Sequence, residues 1–302
     1  MANEILLAGI ADLTTAEVLN GEYLLLLADR NALPNHPALM DVGSVRGRGS
    51  NVIKTSQLGL MGYDLLAATG DGATVANTAL TDGASSVTVS RYSKAYEASD
   101  ITRFVDSQGI LNAQTFAADA FASAQSTLAN AIAGLVDNFS NTVGSGSSDM
   151  SVATFVAAQN ALEAARVTGP YMAILHPVAY GQFRSDLATA VGGTVQYMLA
   201  SQEQLIRMGG GYKGNFLGTD VFTHSNVLLN TDYYSGMFGR GALQFSIGAP
   251  DAEVADQLLI GGQVLFERVR DGRSGLTAYV SHMFLGVAEG IDAAGVTIVS
   301  DT

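Results

Sequence analysis

The sequence contains no cysteine. That excludes disulfides, thiolate-ligated zinc, iron–sulfur clusters and cysteine nucleophiles. Charge is also scarce: 14% of the 302 residues are Asp, Glu, Lys or Arg, against about 25% in an ordinary globular chain. The shortage is one-sided, with 15 basic residues facing 28 acidic ones for a net charge of −13. Tight non-specific binding to nucleic acid needs a basic footprint on phosphates and is therefore not expected. Long apolar runs are missing too. The densest, Tyr23–Ala28, falls far short of the roughly 20 residues that span a bilayer. The opening Met1-Ala2-Asn3-Glu4-Ile5-Leu6-Leu7 has no basic stretch and is not expected to act as a secretory leader.

What is present is enough to fold. Hydrophobic residues make up 48% and glycine contributes 34 positions, with no fibrous period. A chain of this length can bury a sizeable core as one large or two ordinary domains. With so few charges to spread over a free surface, much of that surface is expected to meet other subunits, since interface cores are depleted in charge.

Four stretches organise the chain. Residues 1–55 read as an arm with a short helix over Thr15–Ala28; Pro34 and Pro37 block helix through 33–37, and Val42–Gly49 is extended. Residues 56–100 read as a long hairpin-like loop, with turns at Asp71-Gly72 and Asp82-Gly83 and a β-branched strand at Val87–Ser90. Residues 112–139 predict one helix, about 42 Å long. Ala117, Phe121, Ala124, Leu128, Ala131, Ile132, Leu135 and Phe139 form its apolar stripe, with Asp119, Ser123, Ser126, Asn130 and Asp137 opposite. Beyond it, helices over Ser151–Arg166 and from Pro177 to Ala190 flank a buried strand at Tyr171–Leu175. Ser201–Gln204 matches a capping box. Strands then dominate at Leu217–Thr223, Gly241–Ile247, Gln263–Val269, Leu276–Val287 and Val296–Val299. This is α+β order rather than strict βαβ alternation.

The motifs of catalysis do not assemble. Gly209-Gly210-Gly211-Tyr212-Lys213-Gly214 matches G-x-G-x-x-G, but a helix precedes it and a strand follows, the reverse of a dinucleotide site. His36, His176, His224 and His282 show no metal-ligand spacing. His176 reads as a hydrogen-bonding residue at a helix start. No catalytic, cofactor-binding or metal-ligating residue is singled out, and no cofactor is expected. Leu24–Leu27 is expected to be buried on a neighbouring subunit. Arg46, Arg48, Arg91 and Lys94 are the candidate subunit-contact residues, expected to pair with acids of a neighbour rather than with nucleic acid.

The order of these elements resembles the major capsid proteins of tailed bacteriophages, the HK97 fold. Val87–Tyr96 running into Ser99-Asp100 resembles the return strand of that family's extended loop, and residues 112–139 its spine helix. Tyr171–Leu175 with His176-Pro177-Val178-Ala179-Tyr180 is similar to its strand, proline and helix; Lys213–Ser225 to a stretch of its axial domain. Phe266–Asp271, Gly286-Val287 and Val296–Ile298 resemble the closing strands of its peripheral domain. The resemblance implies an N-terminal arm at 1–55, an extended β loop at 56–100, and the spine helix with the start of the peripheral domain at 101–165. It implies an axial domain at 166–262 and closing peripheral strands at 263–302. It further implies a shell subunit, in hexamers and pentamers, that assembles in the host cytoplasm into a phage head. Scaffolding, portal and cement proteins would be partners, and double-stranded DNA would be confined but not specifically bound. The covalent Lys–Asn cross-links of some members find no assignable trio among Lys54, Lys94 and Lys213. An encapsulin-like cargo shell and a soluble α+β enzyme are the alternatives.

Overall fold

Glycine turns and hydroxyl caps divide the chain into short elements, and alternation of buried and open residues decides which of them stack. The computed structural model describes residues 4–5, 33, 36–59, 81–106, 113–189, 197–199, 211–227, 230–250, 257–260 and 263–302. The expected helix at Thr15–Ala28, the Leu24–Leu27 run and the capping box at 201–204 lie outside them. The first part of the chain gives β1 (Glu4–Ile5), β2 (Met40–Asp41), β3 (Val52–Gly59), β4 (Thr81–Thr88), β5 (Ser90–Ser99), α1 (Asp100–Val105) and α2 (Ala113–Ala133). Then come β6 (Thr142–Gly144), α3 (Val152–Ala164), β7 (Tyr171–Leu175), α4 (Pro177–Thr189), β8 (Tyr197–Leu199), β9 (Tyr212–Phe216) and β10 (Thr219–Thr223). The last part holds β11 (Tyr233–Phe238), β12 (Leu243–Gly248), β13 (Gln257–Ile260), β14 (Val264–Asp271), β15 (Leu276–Glu289) and β16 (Gly295–Ser300).

Two mixed sheets carry the fold. The first runs β1-β5-β15-β12-β2, with β14 also on β15 and β13 on β14. Its spine is β15, whose 14 residues alternate half-open and buried over most of their length, the period-2 pattern of a strand covered on one face. The second runs β6-β16-β11-β7-β10-β9-β8. All five residues of β7 are buried, because it lies between parallel β10 and antiparallel β11 and is covered on both faces. β3 and β4 form a separate two-stranded hairpin.

The helices are set by local chemistry. Ser151 caps α3 by accepting from the Thr154 N–H, and Pro177 opens α4, where its missing N–H costs nothing. α2 ends at Ala133 instead of 139; from Leu135 the backbone closes three-residue turns (Leu135 N–H to the Ile132 carbonyl). The helix is thus about 31 Å long. Its buried seam is Phe116, Ala120, Ala124, Leu128 and Ile132, a strict four-residue step. Phe121, expected in the stripe, falls on the flank of that seam and is exposed. Asp119 and Ser123, expected opposite the apolar stripe, point at β5.

One cluster of buried side chains joins both sheets. Leu128, Ile132, Val136 and Phe139 meet Met172, Ile174, Phe222 and Phe238 of the second sheet and Leu243, Val264, Met283 and Leu285 of the first. A second cluster packs α3 and α4 on the second sheet through Phe155, Leu162, Phe183 and Phe216.

Two groupings differ from expectation. Residues 90–99 were expected in the loop that cannot bury itself, yet β5 pairs with β15 over ten positions. A break at the buried Val89 separates it from β4. Val296–Ile298, expected with the closing strands, sits in β16 between β11 and β6 of the second sheet. Its Val296 and Ile298 are fully buried in the α3–α4 cluster.

Candidate subunit-contact surfaces

Gly211 to Gly214, the end of the G-x-G-x-x-G match, lead into and form part of β9, and the Gly211 carbonyl accepts from the Thr223 N–H. These residues build a hairpin with β10, not a phosphate cradle. Among the described residues no three His, Asp or Glu side chains converge as a metal-ligand set. A cleft of about 240 Å³ between α2 and the β5–β15 ladder is lined by Tyr92, Lys94, Ser123, Thr127 and Met283. It is smaller than the roughly 300–1,000 Å³ of usual ligand sites. The surface features that remain are arms, edges and patches.

A buried polar contact at His36 helps to fasten the arm, beside Leu33, Ala38 and Leu39 in the core. His36 Nδ1 accepts from the Ala38 N–H at 3.1 Å, which leaves the proton on Nε2, 3.0 Å from Asp220 Oδ2. The same carboxylate accepts from the Tyr212 hydroxyl at 3.0 Å and from Asn215 Nδ2 at 2.9 Å. Burial works to raise the Asp220 pKa, but the hydrogen bonds from His36, Asn215 and Tyr212 outweigh it and hold the carboxyl below its usual range. Burial, then the Asp220 charge, pushes the Tyr212 phenol up to about 12. Beyond this anchor, β2 adds to β12 in parallel and Ser246 Oγ donates to the Gly43 carbonyl.

The hairpin is held at its base and by Ser85 Oγ, which donates to Gln244 Oε1 of β12 at 3.1 Å. β3 and β4 pair through eight positions, from Val52↔Thr88 to Gly59↔Thr81. Ile53, Val87 and Val89 are buried, whereas Lys54, Ser56, Gly83 and Ala84 are exposed. The base rests on β15 at Gly286, where an added Cβ would come within 2.7 Å of the Thr88 carbonyl oxygen and 2.8 Å of Val87 Cγ1. Glycine is required there by close approach.

The four basic candidates separate into two pairs. Arg46 and Arg48 share the turn after β2, where the Arg48 N–H bonds the Val45 carbonyl. Arg91 is exposed on β5. Lys94, two residues on, is bonded within its own chain. Its Nζ lies 2.7 Å from Asp119 Oδ2, 2.8 Å from Ser123 Oγ and 5.0 Å from the centre of the Tyr96 ring. Burial lowers the Lys94 pKa, yet the bonds to Asp119 and Tyr96 more than offset this and leave it raised. On the other face of the same ladder, His282 bridges Ser93 Oγ at 2.8 Å and Glu267 Oε1 at 3.1 Å. Ser93 and His282 are register partners, so this chain of bonds ties β5, β15 and β14 together.

One feature escaped the sequence reading. Behind the Ser99 cap, which accepts from the Thr102 N–H, α1 presents Ile101, Phe104 and Val105 to solvent. The available signal was an apolar i, i+3, i+4 pattern directly after a capping serine.

No protein-family model matches the chain, and no curated protein matches it by sequence. Solved structures do. The capsid of Cyanophage P-SCSP1u is similar over 97% of this chain and 95% of that one, at 11% identity and a TM-score of 0.61. The capsid of Ralstonia phage GP4 covers 95% and 96%, at 11% identity and a TM-score of 0.63. The fold is HK97-like. A third HK97-like neighbour, the holo-SrpI encapsulin complex from Synechococcus elongatus PCC 7942, covers 96% and 94% at 11% identity and a TM-score of 0.65. The HK97-like fold accounts for the mixed sheets, the separate two-stranded hairpin and the arm whose Leu33, Ala38 and Leu39 join the central buried cluster.

Proposed function

We propose that the chain is a major capsid protein that self-assembles into an icosahedral phage head enclosing double-stranded DNA. The observation that carries this reading is fold agreement along nearly the whole of both chains with the cyanophage capsid protein. The physical chemistry supports it: low charge suits a surface spent on neighbours, and a net charge of −13 repels DNA at long range while leaving it confined. In this reading residues 1–55 are the arm and the β3–β4 hairpin is the extended loop. α2 is the spine helix, lying against the peripheral sheet of β5, β14 and β15. The axial domain is centred on 166–262 and takes in β16, a strand of its sheet, and α3, which packs on that sheet. Arg46, Arg48 and Arg91 meet acids of neighbouring subunits in hexamers and pentamers. Scaffolding, portal and cement proteins complete a head built in the host cytoplasm.

The encapsulin neighbour favours a second reading, a cargo shell of the same fold. Expression of the chain, electron microscopy of the purified product and extraction after nuclease treatment test both. A phage head assembled in its host yields closed particles with nuclease-resistant double-stranded DNA. A cargo shell yields particles with a co-purifying protein inside. A product that stays monomeric or dimeric under all assembly conditions contradicts both readings.

A further inference from the structure

We propose that Ser93 is an activated nucleophile that takes the acyl group of small activated esters, with His282 as its base and Glu267 positioning that base. The shell reading is a separate matter, and each can fail without the other. Side chains from four strands form one line of bonds. Ser93 Oγ lies 2.8 Å from His282 Nδ1, His282 Nε2 lies 3.1 Å from Glu267 Oε1, and Gln257 Nε2 donates to Glu267 Oε2 at 3.0 Å.

The sheet register imposes this line. Ser93 and His282 are direct partners in the β5–β15 ladder. At the end of that ladder the Asp100 N–H bonds the Gly275 carbonyl, so even-numbered residues of β5 turn their N–H groups towards β15 and odd-numbered ones away from it. Ser93 and His282 therefore form a non-hydrogen-bonded pair, the kind whose side chains come closest. On β14 the partner of His282 is Leu265. Glu267, two residues on and on the same face, reaches the ring along the diagonal.

The proton then has one direction. A carboxylate only accepts. Glu267 thus fixes the ring proton on Nε2 and leaves Nδ1 as an acceptor, so the Ser93 hydroxyl donates to it, as attack on an ester requires. The nucleophile is open and its supports are covered: Ser93 is exposed, whereas the His282 and Glu267 side chains are 17% and 23% exposed. The Ser93 N–H faces the outer edge of β5, where among the described residues β1 covers only Glu97 and Ala98. It is open to donate to the oxyanion, the role of the nucleophile's own N–H in serine hydrolases. In the step, Ser93 Oγ bonds to the carbonyl carbon and its proton passes to His282 Nδ1. The ester C–O bond breaks, the leaving alcohol takes that proton, and Ser93 is left acylated.

The full-length chain is treated with an alkyl fluorophosphonate and the labelled residue is found by peptide mass spectrometry. Here the Ser93 Oγ–phosphorus bond forms, fluoride leaves, and the proton passes through His282 to water. Label on Ser93 and a burst of p-nitrophenolate from p-nitrophenyl acetate are expected, and both should vanish in Ser93→Ala. His282→Gln should slow labelling by about a hundredfold and remove the fall in rate that the wild type shows in acid. Glu267→Gln keeps the shape but can donate to Nε2, which admits the wrong tautomer. It should lower the limiting rate of labelling by about tenfold or more and leave the half-saturating probe concentration and the melting temperature unchanged. Ser90 is exposed on the same strand and serves as the internal reference. Labelling of Ser93 no faster than of Ser90 means that the line of bonds is a structural tie alone, and overturns the proposal. Labelling that survives His282→Gln at the wild-type rate overturns the assignment of the base. Should a His282 or Glu267 variant fail to fold, the wild type against Ser93→Ala still decides, because that change removes a single exposed hydroxyl.

Discussion

Asp220 shows how one side chain can join two distant stretches. It gathers three donors from residues 36, 212 and 215, and a carboxylate with charge-assisted bonds of this kind gains about 1.5–3 kcal/mol from each. Asp220→Asn keeps the shape but loses the charge. It is expected to lower stability at pH 7 by about 2 kcal/mol, measured by urea unfolding. The folded pKa of Asp220 is depressed, so its contribution is complete above the ordinary carboxylate range near about 4. It is lost as the pH falls through the lower folded value. The gap between wild type and variant should therefore close in acid; a gap that is constant with pH would mean that the carboxylate charge does not supply the stability. None of this was legible beforehand. His36 and Asp220 are 184 positions apart, and a lone histidine after a proline-rich stretch has no local pattern that names its partner.

At the scale of elements, what could be read from the sequence was whatever local chemistry decides alone. The helix beginning at Ser151, Pro177 as a first helical residue and the unbroken apolar strand Tyr171–Leu175 all behave as their residues require. Pairing was harder. β9 and β11 were missed because glycine and tyrosine dilute their alternation; only the neighbouring strands make them strands. β5 was read as a strand but grouped with the extended loop, because its own residues are mostly polar; what fixes it to the sheet is the ladder with β15. α2 was found, but its faces were partly misassigned, since Asp119 serves as an internal acceptor for Lys94 and Tyr96. The seam itself is testable. Leu128 is 1% exposed in the middle of it, and Leu128→Asp buries an unpaired carboxylate at a cost of several kcal/mol. That change should abolish soluble folded subunit. Ser126 is only half-buried, and Ser126→Asp is expected to cost less than about 1 kcal/mol. Soluble yield and thermal melting of the two variants check the order; a reversed order would move the seam to the other side of the helix.

For the whole molecule, the order of elements foretold the HK97-like architecture, and the low charge is what led to the expectation of a surface spent on neighbours. The sheet that receives the last strand was not foretold, because β16 crosses back after β15 and closes on β11, a long-range choice that no local signal encodes. The buried cluster threaded by α2 has a thermal consequence. Leu128, Ile132 and Phe139 belong to one buried cluster with side chains from strands of both sheets, so among the described residues the two sheets share a core. Heating should give one calorimetric transition with van't Hoff and calorimetric enthalpies in agreement; two resolved endotherms would show that the shared core does not couple the sheets. In the shell proposed above, a subunit that melts as a unit would act in the wall as a rigid tile. Deformation under load is then passed to the joints between tiles rather than taken up within each.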